Sequence, residues 1–460
     1  MSSQSMGMAV SQNDAAVIAR LERLPISRLL VMARLVVGTA TFFDGFNTLA
    51  IAYVLPVLVR QWQLSPAKIG MIISAGYLGQ LVGAFLFSWV AERYGRLHSL
   101  TVTIIIYAVM GIACIFAWNG TSLMVLRFIQ GIGTGGEVPV AGAYINEFVG
   151  AKKRGRFFLL YEVIFPVGLA VAGMAGYFLV PAFGWKVMFC LDAVPALLTI
   201  PLRWHLPESP RWLVAHGRTE QADKIVARIE RDLQGRGVQL AEPRLIASLT
   251  TRVVKPRFRD LFQGIYRGRT IMLAVLWLSA YMVNNGLVTW LPTLYRSYFH
   301  LSLKTSLGYG FLTTGCGVVA SVCCALLIDR VGRRRWYTAA FFLAVIPLGA
   351  LAVLGAKSAM QLVVLASCSY AIIQTISFSL YLYSAELYPT RIRAMGVGTG
   401  SACLRVGSSL GPYVVGAIVA GSSIHWVFVV FGLVSVMGGT VCSLWAVETK
   451  GRVLEEVSPS

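Results

Sequence analysis

The chain has 460 residues, of which 57% are hydrophobic and only 13% are charged, and this composition excludes a soluble protein of that length. A net charge of +20 would suit a nucleic-acid-binding protein only if the basic residues clustered on one soluble face. Instead they follow the connections between apolar blocks. The eight cysteines fall within those blocks without metal or disulfide spacing, so we expect no metal site.

Twelve apolar blocks, each about long enough to span a bilayer, follow one another along the chain. The first lies behind a polar start and has no cleavage site of small residues after it, so we expect it to remain as a membrane helix. Six blocks precede a polar stretch and six follow it. The blocks are 31–57, 69–90, 99–118, 122–146, 157–181, 185–205, 270–295, 305–328, 337–355, 360–385, 394–420 and 425–446.

The basic residues predict the topology. With both termini in the cytoplasm, 32 of the 40 Lys and Arg residues lie on the cytoplasmic side, as the positive-inside rule requires. We therefore predict an N-terminal six-helix bundle at 1–205, a cytoplasmic linker at 206–269, and a C-terminal bundle with a short tail at 270–460. Within the linker, the apolar spacing of residues 219–234 predicts a short amphipathic helix under the bundle.

The second half of the chain repeats signals of the first at a nearly constant offset, which indicates duplication of a six-helix unit. Such repeats place a substrate site near the membrane midplane, between the halves. The predicted fold is an all-α membrane protein with twelve transmembrane helices in two pseudo-symmetric bundles. The matching signals are Trp89–Arg96 with Leu326–Arg333, and Glu147 followed by Arg154 with Glu386 followed by Arg393.

Further motifs complete the pattern: Arg127-Phe-Ile-Gln-Gly-Ile-Gly-Thr-Gly-Gly136, Pro207-Glu-Ser-Pro-Arg-Trp-Leu213, Ala385-Glu-Leu-Tyr-Pro-Thr-Arg391 and Glu448-Thr-Lys-Gly451. Together with the repeated loops, they resemble the major facilitator superfamily, in the branch of sugar porters, organic ion transporters and bacterial niacin and aromatic-acid transporters. Val447 stands where sugar porters commonly have proline, which weakens a sugar-porter assignment. The resemblance implies alternating access, a monomer and a bacterial inner-membrane location.

Charged residues inside the predicted helices need a partner or a function, because the membrane interior penalises an unpaired charge. Asp44 and Arg127 stand where proton-coupled sugar porters carry a matching pair. This implies an Asp44–Arg127 pair in which Asp44 takes a proton when Arg127 moves away, and the alternative is a permanent structural ion pair. Glu137 opposes Arg405 across the cavity, carries a proton, or hydrogen-bonds within the helix packing.

Arg405 is the residue that predicts the substrate class. Organic-anion transporters carry an Arg in the resembling segment, and a guanidinium can hold a carboxylate through two parallel hydrogen bonds. The resemblance therefore implies an anionic substrate, while a purely structural pairing is the alternative. The other candidate ligands are polar and aromatic residues within predicted helices, where a substrate ring could stack. They are Asn47, Gln130, Tyr281, Asn284, Gln374, Phe378 and Tyr381.

A set of charges lies at the predicted cytoplasmic helix ends. By resemblance, they form salt bridges between the halves when the cavity opens outward, and these break when it opens inward. The alternative is that these charges only set the membrane topology. The two acidic residues after helices 4 and 10 do not fit that alternative. The predicted gate consists of Arg93, Glu147, Arg154, Glu208, Arg330, Glu386 and Arg393.

The sequence thus predicts a secondary transporter without an ATP-binding motif, most simply a proton symporter of a small organic anion such as nicotinate. The anion would bind at Arg405 and the proton at Asp44. The expected partners are the substrate, the proton and the bilayer, with no cofactor and no nucleic acid. The alternative is a proton-coupled sugar or polyol symporter. A third possibility is a receptor that binds its ligand without transporting it. We do not expect an enzyme.

Overall fold

The computed structural model describes residues 12–25, 27–148, 164–194, 197, 206–243, 258–389 and 392–450, and the regular structure within them is helical. A short 3-10 helix covers Phe258–Phe262. The α-helices are α1 (Gln12–Glu22), α2 (Arg28–Trp62), α3 (Pro66–Tyr94), α4 (Arg96–Ile115), α5 (Gly120–Phe148), α6 (Ile164–Phe183), α7 (Lys186–Asp192), α8 (Pro210–Ala215), α9 (Thr219–Gln234), α10 (Gly264–Ser297), α11 (Leu303–Val331), α12 (Arg333–Leu354), α13 (Ala359–Leu387), α14 (Arg393–Gly421) and α15 (His425–Trp445).

Ten of the described helices are long and apolar enough to cross a membrane. They correspond to ten of the twelve predicted blocks. The fourth block forms α5, and the sixth begins with α7, while residues 198–205 at its end lie outside the described part of the chain. The amphipathic segment predicted in the linker forms α9.

The duplicated loops have the same geometry in both halves. Gly95 ends α3 with φ 110°, and Gly332 ends α11 with φ 100°, a backbone conformation that L side chains rarely adopt. The helix that follows each glycine is capped by a carboxylate: Glu208 accepts from the Arg96 backbone N–H at 3.0 Å, and Glu448 accepts from the Arg333 backbone N–H at 2.9 Å. The acidic motifs after the sixth and twelfth blocks therefore serve equivalent helix N-termini.

Small residues bring the helices of the first half close together. A Cβ on Gly133 would lie 2.7 Å from the backbone nitrogen of Tyr107, and one on Gly83 would collide with the backbone of Ile132. This confirms that the glycine run of α5 serves close helix packing.

The two halves contact each other in the part of the bundle opposite the linker helices, which we call the far end. Ser74 of α3 donates to the Ser409 carbonyl of α14 at 2.6 Å. The rings of Tyr177 in α6 and Phe311 in α11 stack with centroids 6.4 Å apart. The bundle is therefore closed at the far end in this conformation.

Candidate substrate and proton site

A cavity of about 90 Å³ lies between the halves, midway along the helices. Three helices of the first half (α2, α3 and α6) and three of the second half (α10, α13 and α14) form its wall. The repeat thus places the cavity where the sequence predicted it. Predicted site residues on the wall are Asp44, Tyr281, Asn284, Gln374, Phe378, Tyr381 and Arg405.

The second half supplies an aromatic and amide wall whose side chains hold one another in place. Tyr281 stacks on Trp277 with centroids 5.5 Å apart, and Tyr381 meets the same indole edge-on at 4.6 Å. Asn284 Nδ2 donates to Gln374 Oε1 at 2.7 Å. Because these groups are fixed before any ligand arrives, the wall is preorganised for a flat ring.

Arg405 lies on the cavity wall and is only 3% exposed. Its Nη1 donates to the carbonyl and hydroxyl oxygens of Ser401, at 3.0 and 2.5 Å, and its Nη2 donates to the Gly135 carbonyl of the first half at 3.3 Å. No carboxylate of the described residues lies within ion-pair distance of it. These partners are neutral, so the guanidinium still has its full charge to offer an anion.

Asp44 is not joined to Arg127 in this structure, contrary to the predicted pair. Asp44 is 5% exposed on the cavity wall, and its Oδ1 receives no hydrogen bond from the described residues. Arg405 of the other half lines the same cavity, and no other Lys or Arg of the described residues lines it. The carboxylate and the guanidinium on the cavity therefore form a loose electrostatic pair across the halves.

Arg127 belongs instead to a buried polar network behind the cavity wall. Its Nη1 donates to Asn47 Oδ1 at 3.0 Å and to Gln130 Oε1 at 2.8 Å. The two amides in turn donate to Asp192 Oδ2, at 2.7 Å from Asn47 and 3.4 Å from Gln130. Asp192 thus balances the charge of Arg127 through two bridging amides.

This network changes the interpretation of three residues. Asn47 and Gln130, predicted as substrate ligands, do not line the cavity, because their side chains are used between Arg127 and Asp192. Asp192 was missed by the sequence reasoning. It is a carboxylate inside the apolar block 185–205, so the rule that singled out Asp44 could have found it.

Glu137 is fully buried in α5, and neither carboxylate oxygen receives a hydrogen bond from the described part of the chain. It does not pair with Arg405, which reaches the Gly135 carbonyl two residues away. It lies on α5, which packs against α2, the helix that carries Asp44. Two carboxyls thus lie on neighbouring helices, that of Asp44 on the cavity wall and that of Glu137 off it.

A profile of the family described as "Sugar (and other) transporter" matches residues 32–460. The chain belongs to this family of the major facilitator superfamily. It is 33% identical over 449 residues to the niacin transporter NiaP of Acinetobacter baylyi, covering 96% of this chain and 99% of that protein. It is 29% identical to the 4-hydroxybenzoate transporter PcaK of the same organism, covering 93% of this chain and 92% of that protein.

Solved structures support the same architecture. The xylose transporter XylE of E. coli, in a partially occluded inward-open conformation, matches with a TM-score of 0.70 at 19% identity, covering 93% of this chain and 100% of that chain. The predicted twelve-helix fold and superfamily are thus confirmed. The chain is a multi-pass membrane transporter, and its family consists of transporters rather than enzymes.

Charged groups of this transporter also meet where the linker helices pack, at the end that we call the linker end. Arg96 Nε contacts Glu147 Oε1 at 3.1 Å, and Arg333 Nη2 contacts Glu386 Oε1 at 3.0 Å. Each ion pair recorded among the described gate residues stays within one half. Among the described gate residues, no ion pair joins the two halves in this conformation, whose far end is closed.

The other predicted gate residues have local roles here. The Arg93 guanidinium lies over the Trp89 ring, 5.6 Å from its centroid, and Arg393 Nε donates to the Tyr388 carbonyl at 3.1 Å. Lys450 donates to the backbone carbonyl of Arg330. Arg154 lies outside the described residues.

Proposed function

We propose that this transporter carries a small organic anion, an aromatic or heterocyclic monocarboxylate such as nicotinate, together with a proton. It would work by alternating access as a monomer in a bacterial inner membrane, with both termini in the cytoplasm. The moving units would be the bundles 1–205 and 270–460, joined by the linker 206–269. The relatives named as niacin and 4-hydroxybenzoate transporters support this substrate class, since both ligands are single-ring carboxylic acids.

The observation that carries the proposal is Arg405 beside an aromatic wall in a small cavity. A substrate carboxylate would replace the neutral oxygens of Ser401 and Gly135, because charge-assisted hydrogen bonds are the stronger ones. The ring would then lie against Tyr281 or Phe378. The cavity is smaller than the roughly 300–1,000 Å³ of drug-sized pockets, which suits a single ring.

Proton coupling follows from the buried charges. Arg127 and Asp192 balance each other, and Arg405 balances Asp44. An anion bound to Arg405 takes over the positive charge that Arg405 otherwise offers to Asp44. Asp44 is then a desolvated carboxylate without a cation, and it binds a proton. Substrate and proton would thus enter together, and one anion with one proton moves no net charge.

Glu137 would be a second proton carrier. A buried carboxyl without hydrogen-bond donors is neutral, because ionising it in apolar surroundings costs far more than binding a proton. Since Glu137 and Asp44 lie on neighbouring helices, their negative charges would repel each other, and protonation of one would ease ionisation of the other. We expect Glu137→Gln to transport with altered pH dependence rather than to lose substrate binding.

The gate residues would change partners during the cycle. In the structure, Glu147 and Glu386 each pair with an arginine of their own half. When the linker end closes, each carboxylate would meet arginines of the opposite half. Glu147 would pair with Arg330 and Arg393. Glu386 would pair with Arg93 and Arg154. Glu208 would remain as the α4 cap.

A proton-coupled sugar or polyol symporter is the second candidate, favoured by the Asn284–Gln374 amide pair, which could bind hydroxyls. A thermal-shift screen with nicotinate, benzoate, xylose and organic cations separates the two. A ligand that binds only the folded state raises the Tm. We expect carboxylates to raise the Tm of the wild type and of Arg296→Ala, a far-end control, but not that of Arg405→Ala.

If only sugars raise the Tm, and Arg405→Ala keeps that shift, the organic-anion proposal is wrong. Whichever ligand raises the Tm, counterflow of that labelled ligand in vesicles distinguishes a transporter from a receptor that binds without transport.

A further inference from the structure

A long groove on the outer side of α11 takes no part in the central site. It measures about 1080 Å³ and follows α11 from Ser302 to Ala320, with Tyr177 of α6 as its opposite wall. At about 1.5 Å per residue, this stretch is about 27 Å long, well over half of a hydrocarbon core about 30 Å thick. Among the ten candidate spans, α11 is the least buried inside the protein, so the groove faces the bilayer.

The groove is apolar along most of its length and polar at one end. Leu312 and Val319 expose their side chains there, and no atom lies within 4 Å of the position where Gly315 would carry a Cβ. At the far end, the Lys304 ammonium lies 5.8 Å from the centroid of the Tyr177 ring. Ser302 and Thr305, whose hydroxyls are hydrogen-bonded to each other, also line the groove. A cation at the water interface above an apolar channel matches the profile of an anionic phospholipid.

We propose that this groove binds one anionic phospholipid, with its phosphate at Lys304 and one acyl chain along α11. Its two walls belong to different halves, and Tyr177 packs on Phe311 across that boundary. A lipid in the groove therefore contacts both halves only while the far end is closed. Anionic lipid should stabilise this conformation over the one that opens the far end.

A second copy of the chain is the other possible occupant, because small residues on a membrane helix also favour helix pairing. Helix pairing through small residues does not require a lysine at one end of the groove. The charge complementarity thus favours lipid, and the two occupants give different results in the experiment below.

Native mass spectrometry of the full chain, incubated with equal amounts of phosphatidylglycerol and phosphatidylcholine, tests the proposal. The wild type should retain phosphatidylglycerol preferentially, and Lys304→Gln should weaken that retention about fivefold, the value of one lysine near an anionic surface. Lys357→Gln removes an exposed lysine from the same end outside the groove and should change nothing.

Two further variants test the apolar part. Gly315→Leu fills the groove and should reduce retention of phosphatidylglycerol. Gly349→Leu in α12, where a Cβ also meets nothing within 4 Å, should not reduce it.

Equal retention of both lipids by the wild type overturns the proposal, as does unchanged retention in both groove variants. If the chain forms a dimer that Gly315→Leu abolishes while lipid retention is unchanged, the groove binds a second copy of the chain. If inorganic phosphate alone competes with phosphatidylglycerol for binding, Lys304 binds a free anion.

Discussion

The Arg405 guanidinium of the second half donates a hydrogen bond to the Gly135 carbonyl of the first half, with 3.3 Å between the two heavy atoms. The group that we expect to bind the substrate therefore also joins the two halves beside the cavity. A carboxylate that takes over this nitrogen would break this hydrogen bond between the halves. In the proposed cycle, binding would thus be linked to the rocking motion by one side chain.

Replacing Arg405 by lysine should weaken anion binding although the positive charge is kept. Lysine cannot present the planar pair of N–H groups that a carboxylate accepts, so one charge-assisted hydrogen bond is lost. Such a bond is worth about 1.5–3 kcal/mol, which corresponds to roughly a 10- to 150-fold rise in Kd. Equilibrium binding of labelled nicotinate measures the change, and a Kd within twofold of the wild type would contradict the proposed role.

Replacing Asp44 by asparagine should separate exchange from accumulation. The amide mimics the protonated carboxyl, so substrate still binds at Arg405 but no proton is released on the other side. We expect counterflow of nicotinate to persist while uptake driven by a proton gradient is lost. Asp232→Asn on the linker serves as the control. Gradient-driven accumulation by Asp44→Asn would assign coupling to another group.

The sequence predicted the helices and the family because apolar blocks and glycine-punctuated loops are local signals. It also predicted seven of the twenty residues that line the cavity, since mid-helix polar residues such as Gln374 and Arg405 avoid lipid. The pairings were less predictable. The Asn47 side chain could face either the cavity or Arg127. Which of the two it faces depends on the rotation of α2 and on Asp192, which α7 supplies, and neither is encoded within one helix.

Replacing Asp192 by leucine should destabilise the first half, because Arg127 then keeps a buried charge with only neutral partners. Breaking a buried pair on one side typically costs about 3–5 kcal/mol. The double variant Arg127→Met with Asp192→Leu removes both charges and should recover much of the lost Tm. Thermal unfolding of the purified variants measures this. A double variant no more stable than Asp192→Leu would show that the charges do not compensate each other.

The N-terminal helix should detach from the linker at acidic pH. Arg20 and Arg23 both pair with Glu230 of α9, 2.5 Å apart in each case. Partial burial opposes ionisation of Glu230, but the two arginines outweigh it and lower its pKa. Because the pKa is lowered on folding, the pairing contributes stability above the ordinary Glu range and loses it as pH falls through the lowered value.

Hydrogen exchange of residues 12–22 measures this attachment. We expect protection to be constant near neutral pH and to fall only under acidic conditions. Glu230→Gln should show the loose state at neutral pH, whereas Glu220→Gln, at an exposed ion pair on the same helix, should behave as the wild type. Protection that is unchanged in Glu230→Gln would assign the attachment to the other contacts of this helix, which are the apolar contacts of Val17 and Leu21 and the ion pairs of Arg20 with Asp223 and of Glu22 with Arg211.

Closure of the far end should depend on the absence of a side chain at Gly416. A Cβ there would lie 2.7 Å from the Pro66 carbonyl oxygen and 3.0 Å from the Gly70 Cα, so Gly416→Leu pushes α14 away from α3. Overpacking of this kind costs about 1–3 kcal/mol, which is enough to shift the populations of two conformations. Gly421→Leu on the same helix meets nothing within 4 Å and is the matched control.

Spin labels at Asn119 and Lys357, in far-end loops of opposite halves, report the opening as a longer distance in a cysteine-free background. Gly416→Leu should populate the longer distance and Gly421→Leu should not. Since leucine at 416 hinders only the far-end-closed state, counterflow should also slow without loss of nicotinate binding. An unchanged distance distribution in Gly416→Leu would mean that α3 and α14 can separate locally without opening the halves, and that closure rests on the α6–α11 contact instead.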